Sequence, residues 1–145
     1  RTLADAMGNQ PCELFSNDLK IRIESSSSYY YPELSAVCGP PKFEDPKKTI
    51  LTNPVLIVEV LSESTESFDR GKKFHRYQQI STLREYVLIA QSEAQIDVFY
   101  KGENGIWMLH SYAGMDAVMK LQSLKIDVKL SDIYRRVEFE AEISA

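Results

Sequence analysis

The chain has 145 residues, of which 43% are hydrophobic and 26% are charged, and its formal net charge is −4 at pH 7. These values predict one globular domain over residues 1–145, and the acidic balance argues against a protein that binds nucleic acid mainly by neutralising phosphates. No apolar run approaches the roughly 20 residues that a membrane helix requires, so we expect a cytoplasmic protein with no membrane partner.

The first part of the chain predicts a short helix and then strands. Helical spacing of apolar residues ends at Gly8-Asn9, and from Cys12 onward the period changes to two. The predicted elements are a helix over residues 1–7, a strand within 12–23, a turn at 25–28, a strand over 29–38 and a polar loop at 42–48.

The later part of the chain alternates strands and helices. The stretch from Val55 to Leu61 is the most apolar and predicts a central strand covered on both faces. The other elements are a helix over residues 68–80, strands over 85–90, 95–100 and 106–112 with a hairpin turn at 102–105, a short strand over 124–128 and a helix over 131–136 capped by Ser131. This order predicts an α+β fold in which a mixed sheet is flanked by helices.

Cysteine and histidine are too few and too scattered for a zinc site. Cys12 and Cys38 form no CxxC motif, and His75 and His110 are far apart in the sequence. We interpret the cysteines as reduced, because a domain with its own core does not require a disulfide, although the two could pair with each other.

Two acidic residues interrupt predicted apolar strands. Glu59 lies inside the central strand, where a buried carboxylate must be paired, protonated or bound to a metal ion. Glu33 lies between apolar residues on what we expect to be the neighbouring strand. Facing carboxylates repel unless they share a proton or a cation, and Mg²⁺ and Mn²⁺ favour such oxygen ligands. Taken singly, Glu59 would also fit a strand-end ion pair and Glu33 a solvated position.

The predicted helix supplies a third group of polar residues. Asp69, Lys73 and Tyr77 follow one another at intervals of four, so they form one stripe that can face Glu59 when the helix packs on the sheet. We expect Lys73, and not Lys72, to point at Glu59, because neighbouring helical residues diverge by about 100°. A solvated helix face would show the same stripe.

Taken in order, these segments resemble the Uma2 family (DUF820), which is related to the PD-(D/E)XK restriction endonuclease-like superfamily. The family usually has Asp at the position of Glu33. The superfamily places a lysine two residues after the strand acid, and this chain has Leu61 there. Lys73 instead matches a lysine that the helix supplies. The resemblance extends over residues 12–134 and rests on Tyr31 to Ser35, Asn53 to Ser62, Ser64-Thr65, Asp69 to Phe74, Tyr77 and Leu83 to Leu88.

The resemblance implies a metal-dependent endonuclease that hydrolyses phosphodiester bonds in nucleic acid, with DNA favoured and RNA open as the substrate, and a homodimer as the assembly. The family also has an N-terminal segment that carries a further acid, and we expect this chain to begin after most of that segment. In such an enzyme Mg²⁺ or Mn²⁺ would be held by Glu33, Glu59 and the backbone carbonyl of Val60.

The remaining polar residues of the helix would support that reaction. Lys73 would orient the attacking water or neutralise charge on the phosphate, and Asp69 and Tyr77 would position the reacting groups. A local basic patch would bind phosphates, or would simply be solvated surface, and it consists of Arg70, Lys72 and Arg76.

Two other functions are open. The fold could be retained as a catalytically inactive module with a binding or regulatory role, an alternative suggested by Glu33 in the place of Asp. A glycoside hydrolase would use Glu33 and Glu59 as acid and base, with Tyr29, Tyr30 and Tyr31 as its sugar-binding aromatics. The separation of the two carboxylates and a metal titration would distinguish these functions.

Overall fold

Strands dominate the protein, whose computed structural model describes residues 2–8 and 11–139. The strands are β1 (Cys12–Phe15), β2 (Lys20–Ile23), β3 (Ser28–Tyr30), β4 (Leu34–Cys38), β5 (Ile50–Leu51), β6 (Leu56–Val60), β7 (Glu85–Ile89), β8 (Gln95–Lys101), β9 (Trp107–Ala113), β10 (Val118–Leu121) and β11 (Ile126–Lys129). The helices are α1 (Thr2–Met7), α2 (Glu66–Arg70), α3 (Lys72–Tyr77) and α4 (Leu130–Ile133), and a 3₁₀ turn spans Glu24–Ser26. The predicted α+β class is confirmed.

A six-stranded mixed sheet forms the centre of the fold, in the order β1-β4-β6-β7-β8-β9. The pair β6–β7 is parallel, and the other four pairs of neighbouring strands in this sheet are antiparallel. A three-stranded sheet, β3-β2-β5, and a two-stranded sheet, β10-β11, accompany it. The prediction that β4 and β6 are neighbours is confirmed.

Both faces of β6 are covered, as its apolar sequence predicts. Leu56 and Val58 pack in a cluster with residues of α1, α4, β10 and β11. Ile57 and Leu61 pack in a second cluster with residues of α3, β2 and β5. Alternating side chains of one strand therefore reach two separate cores, and Glu59 projects to the side of Ile57 and α3. None of the helices in the described ranges is long and apolar enough to cross a membrane.

The prediction of a single strand over residues 29–38 is wrong. β3 and β4 belong to different sheets, and Pro32 and Glu33 lie between them, with Glu33 in a bend. Proline has no N–H to donate to a sheet ladder, so it suits this transfer of the chain from one sheet to the other.

Four further elements differ from the prediction. The helix predicted over residues 68–80 begins at Glu66, ends at Tyr77 and divides into α2 and α3 at Gly71. The short strands β5 and β10 carry too few alternating residues to be predicted. The last helix begins at Leu130, so Ser131 lies inside it and is not its cap.

Cys12 and Cys38 form a disulfide in the structure, with an S–S distance of 1.96 Å. They are directly opposite each other in the antiparallel pair β1–β4. The expectation of reduced cysteines is therefore wrong here. The pairing depends on the register of two strands 26 residues apart, which no local pattern reveals.

Candidate active site

Glu59 is a buried carboxylate near the end of the central strand, with only 6% of its surface exposed. Both of its side-chain contacts go to the same oxygen. Lys73 Nζ lies 3.3 Å from Glu59 Oε2, and the hydroxyl of Tyr77 donates to Oε2 at 3.3 Å. No described residue donates a hydrogen bond to Oε1.

The electrostatics of Glu59 follow from its burial. Desolvation raises the pKa of Glu59 and the nearby Asp69 adds to this, while the charge of Lys73 opposes it without cancelling it. Burial and the charge of Glu59 also raise the pKa of Tyr77 far above its ordinary value. Tyr77 therefore keeps its proton at neutral pH and acts as a donor to Glu59.

Lys73 lies between two buried carboxylates. Its Nζ is 2.8 Å from Asp69 Oδ1 as well as 3.3 Å from Glu59 Oε2. Burial on its own would lower the pKa of Lys73, but Asp69 and Glu59 outweigh it and the pKa rises. Lys73 is thus an ammonium ion at neutral pH. This is the contact that the helical stripe predicts for Lys73, and Lys72 is exposed.

Asp69 is fixed from two directions. Its side chain is 2% exposed and pairs with Lys73, and its backbone carbonyl accepts a hydrogen bond from the Tyr86 hydroxyl at 2.9 Å. The i,i+4 relation between Asp69 and Lys73 survives the division of the helix at Gly71. Tyr86 lies on β7, so the sheet holds the end of α2 at the site.

A second ion pair holds α2 to the sheet. Arg70 Nη1 lies 2.7 Å from Asp97 Oδ2, and Arg70 Nε lies 2.8 Å from Glu66 Oε2. The hydroxyl of Ser111 donates to Asp97 Oδ1 at 2.7 Å. Asp97 is an acidic residue in the apolar strand β8, and an acid in an apolar strand is also the pattern that marks Glu59. Asp97 was not selected from the sequence.

The predicted basic patch is not an open cationic surface. Arg70 is engaged by two carboxylates, and Arg76 donates to the hydroxyl of Tyr30 at 2.5 Å. Lys72 is exposed and makes no ion pair with a described residue. Phosphate binding by the patch stays a prediction.

Glu33 is exposed in the bend that precedes β4. The antiparallel register pairs Leu34 with Val58, so one further step would place Glu33 opposite Glu59. Glu33 makes no hydrogen bond or ion pair with any described residue. Within residues 2–8 and 11–139, no group of three or more His, Cys, Asp or Glu side chains is arranged to hold a metal ion. A shared ion at Glu33, Glu59 and the carbonyl of Val60 therefore stays a prediction.

Two aromatic rings border Lys73. Its Nζ lies 5.5 Å from the ring centroid of Tyr30 and 5.5 Å from that of Phe68, and the two rings meet edge to face at 6.1 Å. Rings at this distance attract a cation, so they help to hold the ammonium group in place. Phe68 is 39% exposed. The sequence suggested Tyr30 only as a sugar-binding aromatic of the glycoside hydrolase alternative, and Phe68 only as an apolar helix residue.

Comparison with known proteins identifies the family. The Uma2 family model, described as "Putative restriction endonuclease", matches residues 1–131. The chain belongs to the Uma2 family. The resemblance seen in the sequence is therefore confirmed, and the buried Glu59 with its lysine lies within the matched region.

Two proteins of Synechocystis sp. (strain ATCC 27184 / PCC 6803 / Kazusa) are relatives of this Uma2 chain. The uncharacterized protein slr1290 is 37% identical over 129 residues, which are 88% of this chain and 66% of that protein. The uncharacterized protein sll1609 is 36% identical over 126 residues, which are 87% of this chain and 71% of that protein. The chain thus spans about two thirds of the length of these relatives.

A solved structure shares the fold. The crystal structure of "a putative nuclease belonging to DUF820" from Anabaena variabilis ATCC 29413 superposes with a TM-score of 0.72. The alignment covers 92% of this chain and 74% of that protein, at 13% sequence identity. At this identity the likeness establishes a common nuclease-type fold and leaves the chemistry to be argued from the residues.

Proposed function

We propose that this Uma2 protein is a metal-dependent nuclease that hydrolyses phosphodiester bonds in DNA, with residues 1–145 as one nuclease domain. The observation that carries the proposal is the position of Glu59. A buried carboxylate in the central strand of this fold has a protonated lysine at 3.3 Å and one oxygen that no described residue satisfies. Buried carboxylates are costly unless a cation or hydrogen bonds compensate them, and sites of this kind are often functional.

The donor types present suit Mg²⁺ or Mn²⁺. The carboxylates of Glu59 and Glu33 and the carbonyl of Val60 are hard oxygen ligands, which these ions prefer. When bound, such an ion lowers the pKa of a water molecule and neutralises charge on the phosphate. Glu33 is exposed in the bend before β4, so its contribution depends on the position of that bend.

Residues of the chain supply positive charge to the phosphate and orient the reacting groups. The ammonium group of Lys73 stays protonated, so it supplies positive charge to the phosphate or orients a water, and it does not act as a base. Asp69 keeps Lys73 in place, and Tyr77 fixes the orientation of Glu59 through its hydroxyl. Lys72, exposed one residue away, is free to meet the substrate backbone.

A catalytically inactive binding module is the second candidate. It is favoured by the contact between Lys73 and Glu59, because an ion pair neutralises the charge of the buried carboxylate without any metal. In that case the fold would bind nucleic acid, or another partner, without cleaving it.

The decisive experiment compares Glu59→Gln with the wild-type protein. Plasmid and single-stranded cleavage are measured with Mg²⁺, with Mn²⁺ and with EDTA, and Mn²⁺ binding is measured by calorimetry. The proposal requires metal-dependent cleavage that Glu59→Gln removes, because the amide keeps the shape and loses a ligand charge. Wild-type protein that binds no metal ion would overturn it and favour the inactive module. We place the protein in the cytoplasm, and propose that it acts as a homodimer, which sedimentation analysis tests.

A further inference from the structure

The hairpin of β2 and β3, whose inner face meets the candidate site through Tyr30, presents an aromatic and cationic outer face. Its register pairs Arg22 with Tyr29 and Ile21 with Tyr30, so alternate residues face opposite sides. Ile21 and Tyr30 face inward, where Ile21 is fully buried and Tyr30 meets Lys73. Tyr29 faces outward.

Two exposed tyrosines dominate that outer face. Tyr29 is 43% exposed and Tyr31 is 56% exposed, which leaves much of each large ring in water. Lys20 Nζ lies 5.5 Å from the ring centroid of Tyr29 and 5.9 Å from that of Tyr31. We call Tyr29, Tyr31 and Lys20 the tyrosine platform.

The charges on the platform favour a phosphate-bearing partner. Arg22 also lies over the Tyr29 ring, at 5.8 Å, but Glu44 neutralises it at 2.6 Å. Lys20 forms no ion pair with a described carboxylate, so its charge is available to a ligand. Exposed rings combined with an unneutralised cation are the groups that bind single-stranded nucleic acid, because bases stack on the rings while the cation meets the backbone.

The platform is close to the candidate site along the chain. Tyr31 is two residues before Glu33, a span of at most about 7 Å in an extended chain. Phe68 adds another exposed ring, whose centroid lies 5.5 Å from Lys73 Nζ. A duplex hides the faces of its bases in the stack, so within a nucleic-acid substrate these rings can stack only on unpaired bases.

We propose that the tyrosine platform binds unpaired bases, so that the substrate of this protein is single-stranded nucleic acid or a duplex with a single-stranded segment. This inference rests on the proposed nuclease function for its biological meaning. The binding itself does not require cleavage, and the two are therefore testable separately.

The test is a titration of labelled oligonucleotides, followed by fluorescence anisotropy in EDTA so that no cleavage occurs. Single-stranded DNA, single-stranded RNA and a blunt duplex of the same length are compared for the wild-type protein, Tyr31→Leu and Tyr29→Leu. We expect the wild type to prefer single strands, and each Leu variant to lose about tenfold in single-strand affinity, the range for one stacked base. Lys20→Gln should lower the salt dependence of binding by about 0.7 in log–log slope.

Two control variants separate stacking from general damage. Tyr31→Phe keeps the ring and should bind as the wild type does. Leu109→Ala, at an exposed apolar position on β9, should also leave binding unchanged. Equal affinity of the wild type for duplex and single strand, or unchanged single-strand binding by both Leu variants, overturns the platform.

Glu59→Gln separates this inference from the proposed function. The variant should retain the single-strand preference even though it cannot cleave. A wild type that shows the preference but never cleaves would refute the nuclease and leave the platform standing. If both Leu variants cleaved at the wild-type rate and bound single strands with the wild-type affinity, the platform would be refuted and the nuclease function would stand.

Discussion

Arg70 of α2 and Asp97 of β8 form an ion pair of 2.7 Å that ties the helix carrying Asp69 to the central sheet. Asp97 is almost completely buried, while the Arg70 side chain is about a third exposed. Ser111 on the edge strand β9 completes the hydrogen bonding of Asp97. Removing the charge of Asp97 should therefore weaken the attachment of α2 to the sheet. Asp97 itself is not paired with Glu59 or Lys73.

Asp97→Asn should lower the free energy of unfolding at pH 7 by about 1–3 kcal/mol, since Arg70 and Ser111 lose a charged acceptor. Burial by itself raises the pKa of Asp97, but Ser111 and Arg70 outweigh it and hold the pKa below its ordinary value of 3.8. The stability that this charge contributes is present above pH 3.8 and is lost as the pH falls through the depressed pKa.

Urea denaturation of the wild type and Asp97→Asn at pH 7 and in acid checks this. The difference between them should shrink as the pH falls below 3.8. Asp127→Asn, at an exposed position on β11, is the control and should differ little from the wild type. A difference that is independent of pH would show that the charge of Asp97 is unimportant.

Lys73→Met should reduce turnover by about 100-fold or more while leaving Mn²⁺ affinity largely intact, because Lys73 is assigned to charge on the phosphate and not to the ion. The change also leaves Asp69 and Glu59 without their counter-charge, so the free energy of unfolding should fall by roughly 3–5 kcal/mol. Turnover is measured under conditions where circular dichroism shows the variant to be folded.

Lys72→Met is the matched control for that variant, since it removes a neighbouring positive charge at an exposed position. It should keep near-normal turnover and raise KM if Lys72 meets the substrate backbone. Turnover lost in Lys72→Met and retained in Lys73→Met would reverse the assignment.

Glu33→Gln should weaken Mn²⁺ binding by about tenfold or more, since even residues that only support a metal ligand commonly contribute that much. Calorimetry measures the affinity directly. Glu13→Gln, an exposed acid on β1, is the control for the loss of one negative charge. Equal affinities of Glu33→Gln and the wild type would remove Glu33 from the site.

Reduction of the Cys12–Cys38 disulfide should lower the free energy of unfolding by roughly 2–4 kcal/mol, because the bond restricts the unfolded chain. Urea denaturation with and without dithiothreitol measures the effect. The double variant Cys12→Ser, Cys38→Ser should not respond to the reductant. Identical curves for the reduced and untreated wild type would show that the bond does not form in solution.

Local pattern was enough to predict β6 and the stripe of Asp69, Lys73 and Tyr77. The apolar run around Glu59 predicts a strand covered on both faces, and helical spacing then selects Lys73 over Lys72. These inferences depend only on residues close together in the sequence.

Contacts between distant segments could not be predicted in the same way. The partners Arg70 and Asp97 are 27 residues apart, and their meeting depends on how α2 lies across β8. The opposition of Cys12 and Cys38 depends likewise on strand register. The apolar neighbours of Glu33 predict a strand, whereas Pro32 marks the point where the chain changes sheets.

The parallel pairing of β6 and β7 has a consequence for how the protein folds. Parallel strands cannot be joined by a tight turn, so the chain between Val60 and Glu85 must cross back over the sheet, and this crossover carries Lys73. The contact between Lys73 and Glu59 can form only when that long loop has closed, which is slow compared with local pairing. A partly folded chain in which β8 and β9 are already paired would contain their hairpin but would not yet have the contact between Lys73 and Glu59. During refolding, recovery of activity should therefore lag behind recovery of strand structure.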